Sequence, residues 1–144
     1  MATGVQVVFD CADPAKLAEF WAKALGYRIP DPPGDFATWP DFLRAQGVPE
    51  SEFNSASAVE DPDGVGPRIF FQQVPEPKAG KNRVHLDVNA GGGRGVPEDV
   101  RKTRVDEAVE RLVEAGATTV EERAKMGERW VVMQDPEGNE FCVQ

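Results

Sequence analysis

The chain has 144 residues, 40% of them hydrophobic, and a formal net charge of −9. That length suits one compact domain, or two small modules sharing a core. The acidic balance argues against nucleic acid or an anionic membrane as partner, no apolar run approaches the roughly 20 residues of a spanning helix, and the lack of a basic, apolar leader makes a cytoplasmic protein with Cys11 and Cys142 as reduced thiols the expectation.

Residues 4–11 alternate Val5, Val7 and Phe9 with Gln6, Val8 and Asp10, the period of a strand. Asp13-Pro14 then reads as an N-cap followed by the first helical residue. Leu17, Phe20, Trp21, Ala24 and Leu25 fall on one helical stripe, which Gly26 closes. A returning strand is expected at 27–29. From 30 to 67 the pattern weakens, with a short helix expected at 40–45, a strand at 55–59 and a turn at Asp61-Pro62-Asp63-Gly64. Residues 68–74 form an aromatic-rich strand, and 74–81, with Pro75, Pro77 and Gly80, a rigid linker.

Residues 82–89 hold the single histidine of the chain. Val84, Leu86 and Val88 alternate with Arg83, His85, Asp87 and Asn89, so a strand here would have an apolar back and a chemically equipped front. Gly91 to Gly95 is glycine-rich but lacks the Lys-Ser/Thr ending of a phosphate loop. A second helix is expected at 103–115, with Val105, Ala108, Val109, Leu112 and Val113 as its stripe. Strands at 118–122, 128–134 and 140–143 follow, the last two joined by Asp135-Pro136-Glu137-Gly138-Asn139.

The two halves therefore share an order: strand, helix ending in Gly, strands, an Asp-Pro-acidic-Gly turn, and a final strand. A duplication accounts for this order, with length differences confined to loop-like stretches. The fold class read from it is α+β: two βαβββ modules, residues 4–74 and 82–144 around the linker 75–81, forming a sheet-lined cleft.

At these residues the chain resembles the vicinal oxygen chelate superfamily, which includes glyoxalase I, extradiol dioxygenases and bleomycin-resistance proteins. The resemblance rests on residues 7–14 with Phe20-Trp21 and Leu25-Gly26-Tyr27, the 74–78 linker, the 82–87 strand and the 135–142 turn and strand. It looks closest to a glyoxalase-like subgroup common in actinobacteria. The resemblance implies a homodimer and a divalent metal (Zn, Ni, Co, Mn or Fe) held by four side chains, usually His or Gln, Glu, His and Glu. Carried over residue by residue, those positions fall on Gln6, Gln72, His85 and Cys142, so both family carboxylates are missing. Glu140 and Asp87 lie two residues from Cys142 and His85 on the same strand faces and offer themselves as replacements.

Each candidate has a bland and a chemical reading. His85 is a hydrogen-bonded cavity residue, or a ligand or general base. Cys142 is a small buried hydrophobe, or a ligand that needs a lowered pKa. Gln6 and Gln72 satisfy polar groups, or orient an oxygen-rich substrate. Arg83 is solvated at a strand end, or clamps an anion. Phe36, Trp39, Phe42, Phe53 and Trp130 pack the insert, or wall a flat ligand. Two functions follow: a metal-free protein binding a small aromatic or oxygen-rich molecule, which the missing carboxylates favour, and a metal-dependent lyase, isomerase or dioxygenase with His85 as ligand or base and Glu140 or Cys142 completing the site. Ordinary glyoxalase I chemistry is disfavoured because Cys142 stands where a carboxylate base is needed.

Overall fold

The computed structural model describes all 144 residues. The chain forms two compact units, Met1–Pro77 and Lys78–Gln144. Each pairs a small sheet with helix, in an α+β arrangement.

In the first unit, strand β1 (Val7–Cys11) leads into helix α1 (Pro14–Leu25). Asp13 caps this helix by accepting from the Lys16 N–H at 3.3 Å. Asn54 completes the start of the helix: its amide donates to Asp13 at 2.8 Å and its carbonyl accepts from the Ala15 N–H at 2.9 Å. Gly26, at φ 67°, ends the helix in the left-handed region that glycine enters without strain. Helix α2 (Trp39–Ala45) starts one residue earlier than expected, on a Thr38 cap. Strands β2 (Ala56–Val59) and β3 (Ile69–Gln73) complete a sheet of order β1-β3-β2, with β1 parallel and β2 antiparallel to β3. The stripe of α1 buries Leu17, Phe20, Trp21 and Ala24 with Val59, Ile69 and Phe71 as the core of this unit. Phe9 contributes its ring, 5.2 Å from Trp21 and 5.6 Å from Phe71.

The expected strand at 27–29 shrinks to a single bridge, Arg28 with Glu60. Pro30, Pro32 and Pro33 follow at once and have no N–H to extend a ladder. After the bridge the chain turns on Asp61, whose carboxylate accepts the N–H groups of Asp63, Val65 and Gly66. The Tyr27 side chain packs against Gly66: a Cβ there would lie 2.0 Å from the tyrosine hydroxyl oxygen, so a larger residue would displace it.

In the second unit, strand β4 (Asp87–Val88) is followed by α3 (Glu98–Glu114), β5 (Thr118–Lys125), β6 (Glu128–Gln134) and β7 (Glu140–Val143). The sheet order is β4-β7-β6-β5, with β4 parallel to β7 and the other pairs antiparallel. Helix α3 starts five residues earlier than its apolar stripe suggests. Pro97 precedes it, and Glu98 and Asp99 give its first turn the acidic character that the helix dipole favours. Its buried face, Val105, Ala108 and Leu112, belongs to a core with Val88, Val131, Met133, Phe141 and Val143.

The expected eight-residue strand at 82–89 is the main departure. Only Asp87 and Val88 are strand, and Val84, read as part of an apolar back, is 81% exposed. The reason lies at Asn82, whose backbone N–H donates to the Glu140 carboxylate at 2.9 Å. A side chain rather than a neighbouring strand thus holds the entry to this segment.

The repeat is visible in the pairing. In both units the first strand lies parallel to the last, and the last lies antiparallel to the one before it. Asp135 closes its turn as Asp61 does, accepting from the N–H groups of Glu137 and Asn139.

Two predictions follow from these contacts. Trp21→Ala empties the core of the first unit and should cost about 3–5 kcal/mol, read as a drop in the denaturant midpoint. The Asp61 carboxyl is held below the usual carboxylate value, chiefly by the Gly66 N–H and then by that of Asp63. A lowered folded pKa adds stability above the unfolded value that is lost as pH falls through the folded one. Asp61→Ala should therefore flatten the acid limb of stability against pH; an unchanged limb would show that this turn carries none of it.

Candidate metal and ligand site

Strand β4 places Asp87 beside Cys142 of β7. His85, two residues earlier, brings its Nε2 to 3.4 Å from Oδ1 of Asp87. One ligand atom from each of His85, Asp87 and Cys142 lies within 4.8 Å of the others. His85 and Asp87 are half exposed, whereas Cys142 is 8% exposed. Burial pushes the Cys142 thiol up from its ordinary pKa, and the Asp87 carboxylate adds to the shift. The thiol is therefore a hydrogen-bonded S–H rather than a free thiolate.

The group stands on a cavity of about 640 Å³. Asn89, Trp130 and Gln144 share its wall, and the Gln144 amide donates to the Asn89 carbonyl at 2.9 Å. Arg101 and Lys102 from α3, Glu128 and Arg129 from β6, and the glycine-rich loop also line it. Arg129 is tightly held. Its guanidinium reaches Asp106 at 2.7 Å and Glu122 at 2.5 Å, and the Glu122 hydrogen bond is the larger cause of its raised pKa.

Of the sequence candidates, His85, Asp87, Trp130 and Cys142 line this one cavity. Arg83 is exposed and does not line it. Glu140 is also outside the lining. It accepts from the Asn82 N–H and pairs with Lys78 at 3.3 Å, and these partners, Asn82 first, lower its pKa. Gln6, Gln72 and Trp39 belong to the first unit. Gln72 is exposed opposite Asp10 in the ladder. Trp39 donates its indole N–H to the Pro30 carbonyl at 2.7 Å and sets its ring edge-on to Phe42.

Arg68, seven residues after Asp61, lies just before β3, whereas Cys142, seven after Asp135, lies within β7. Arg68 donates to Gln6 at 2.7 Å and lies over the Phe70 ring. The first unit thus carries an amide–guanidinium pair beside β3, and the second carries three donors beside β7. Sequence reasoning missed Arg68, which sits at the strand's edge, and Arg101, which precedes the expected start of its helix.

A model of the glyoxalase-like domain family matches residues 6–144. The chain belongs to this family. No curated protein sequence matches it. Among solved structures, this family member is similar to a possible glyoxalase from Bacillus cereus (18% identity, 99% of each chain covered, TM-score 0.60). It is also similar to a glyoxalase/bleomycin resistance/dioxygenase family enzyme from Burkholderia phytofirmans PsJN (15%, 96% of this chain and 94% of that one, TM-score 0.60). A third likeness is to a variant of the fosfomycin resistance protein FosX from Listeria monocytogenes, solved with Mn(II) and 1S,2S-dihydroxypropylphosphonic acid (15%, 100% and 92%, TM-score 0.63). At these identities the likeness is one of fold.

The donor set of this glyoxalase-like chain suits a divalent cation. Ligands about 2.0–2.3 Å from a tetrahedral ion lie roughly 3.3–3.8 Å apart, and the His85–Asp87 separation of 3.4 Å falls in that interval. One imidazole, one carboxylate and one thiolate supply two negative charges, and nitrogen with sulfur favours zinc over harder ions. The set differs from Gln6, Gln72, His85 and Cys142 in that a carboxylate two residues after His85 takes the place of the amides.

The raised pKa of Cys142 predicts slow alkylation by iodoacetamide near neutral pH. Asp87→Asn should speed it, because a charge opposing the thiolate is removed. Peptide mapping separates Cys142 from Cys11, which is also buried; an equal rate in both proteins would show that burial alone sets the reactivity.

Proposed function

We propose that this chain is a metal-assisted, glyoxalase-like enzyme acting on a small oxygen-rich molecule in the cavity of the second unit. The observation that carries the proposal is the convergence of His85, Asp87 and Cys142, three donors of different type, on one cavity wall. These three residues would hold a divalent cation. When bound, such a cation supplies Lewis acidity to a substrate oxygen.

The chain's own residues do the rest. Trp130 offers an apolar face against which a planar substrate can lie. The Asn89–Gln144 pair presents amide groups already oriented by their mutual bond, so little ordering remains on binding. Burial of Cys142 lowers the local dielectric on that side of the site and strengthens each polar contact made there. His85 and Asp87 are exposed enough to be reached by a ligand without unfolding.

A second reading is favoured by the Cys142 thiol, which burial and Asp87 keep protonated. A neutral S–H, an imidazole and a carboxylate would then form a polar wall for a metal-free binding protein, and Trp130 would contact an aromatic guest.

Tag-free protein should bind Zn(II) or Co(II) near one equivalent, with a rise in melting temperature and, for Co(II), a thiolate charge-transfer band. His85→Ala should weaken binding by more than about 100-fold, since loss of outer-shell partners alone costs 10–100-fold. Its unliganded melting temperature serves as the folding control. Substrate screens with vicinal diketones, catechols and epoxides follow. No metal-dependent shift in wild type would discard the metal reading, and aromatic guests quenching Trp130 would then support the second.

A further inference from the structure

The same cavity has a cationic end. Arg101, from the start of α3, has a side chain only 24% exposed. Its Nε–H is buried with no hydrogen-bond partner. Its ion pair, from Nη1 to Glu128, is long at 3.6 Å. Glu128 is also the partner of Arg94, whose Nε lies at 3.0 Å. Two guanidinium groups thus share one carboxylate. Lys102 and Arg129 add two more cations to the lining, and both are answered by Asp106, with Glu122 also on Arg129. The surplus positive charge therefore sits on Arg94 and Arg101, and Arg101 is the more buried of the two.

A buried guanidinium with an unused donor is costly, because the desolvated N–H has lost water and gained nothing. Nη1 of Arg129 is the other unmatched donor on this wall, but that guanidinium is already held by two close carboxylates, whereas Arg101 has only its long contact to Glu128 and so marks a place for an acceptor from outside. The planar fork of Arg suits two oxygens of one anion. A small turn of the guanidinium away from the loose Glu128 contact presents that fork. Gly91 packs close to the stem of Arg101: a Cβ there would lie 3.4 Å from the Arg101 Cβ. Asp87 and Glu98 are the other carboxylates on the lining.

We infer that Arg101 forms an oxyanion subsite, so that the ligand of this cavity is a small acid, carboxylate or phosphoryl, whose anionic end lies on Arg101 and whose body extends toward His85, Asp87 and Cys142. The inference rests on the reading of this cavity as the ligand site, and it requires no metal.

The test is calorimetric titration of chelator-treated protein with benzoate and, separately, with inorganic phosphate. Wild type should bind at least one of them, and the stronger of the two identifies a carboxylate or a phosphoryl source. Arg101→Gln should weaken that binding about 10- to 100-fold, the loss expected for a charged hydrogen bond. Arg101→Lys should recover part of it and guards against a folding defect. Lys102→Gln, which removes the same charge one residue away, should change it by less than about threefold. No binding in wild type, or equal losses in the Arg101→Gln and Lys102→Gln proteins, would overturn the subsite. Zn(II) binding by wild type and by Arg101→Gln is titrated separately and should be the same in both, so the metal reading and this one fail separately.

Discussion

Two backbone hydrogen bonds set the chemistry of the second unit. The Cys142 N–H donates to the Leu86 carbonyl at 3.0 Å, and the Gln144 N–H donates to the Val88 carbonyl at 2.9 Å. Together they lock β4 onto β7 in parallel register. Side chains of a strand alternate between faces, so this register puts Asp87 and Cys142 on one face, with His85 following two residues before Asp87. A slip of one residue would turn Val88 toward the cavity and Asp87 toward the core. Val88 and Val143, buried beside Phe141, make that slip unfavourable. The apolar side of a very short strand thus holds the polar side in place.

The ladder is short because other contacts replace it on both sides. Before it, Asn82 is tied to Glu140 by a side chain. After it, the Gly91 N–H donates to the Gln144 carbonyl and the glycine-rich loop begins. Gly92 and Gly93 take φ values of 89° and 86°, open to glycine and strained for other residues. The loop can therefore turn sharply from the end of the sheet to the start of α3, and it brings Arg101 onto the cavity that β4 faces.

What could be read from the sequence was what periodicity and turn chemistry control. The stripe of α1, its Asp13 cap and its Gly26 stop are all present, as are strands β6 and β7 at their expected limits. The parallel-then-antiparallel pairing of each unit agrees with the order of elements taken as a duplication. Periodicity failed where polar tertiary contacts decide. Val84 alternates correctly with its neighbours yet faces solvent, because its segment is fixed by Asn82 and Glu140 rather than by burial. Helix α3 begins before its apolar stripe because Pro97 and two acidic residues start it. At the site, His85 meets Asp87 although it lies before the strand, and the pairing of β4 with β7 brings Cys142 to Asp87. The cations of the cavity were not legible, since Arg101 reaches it through a loop whose path glycines determine.

The carboxylates missing from the resemblance also look different in three dimensions. A divalent cation held by amides and one neutral imidazole would keep nearly all its charge, and its lost hydration would go largely uncompensated. Asp87 changes that balance from within β4, two residues after His85 and opposite Cys142. In the metal-free protein this carboxylate raises the thiol's pKa. In the proposed metal site the two anions face a shared cation, and the repulsion that opposes ionisation of Cys142 is offset by attraction to that cation. Beside β3 of the first unit, Arg68 instead brings its own fixed positive charge to Gln6. The two units thus differ by charge, one carrying a built-in cation and the other a set of donors that could accept one.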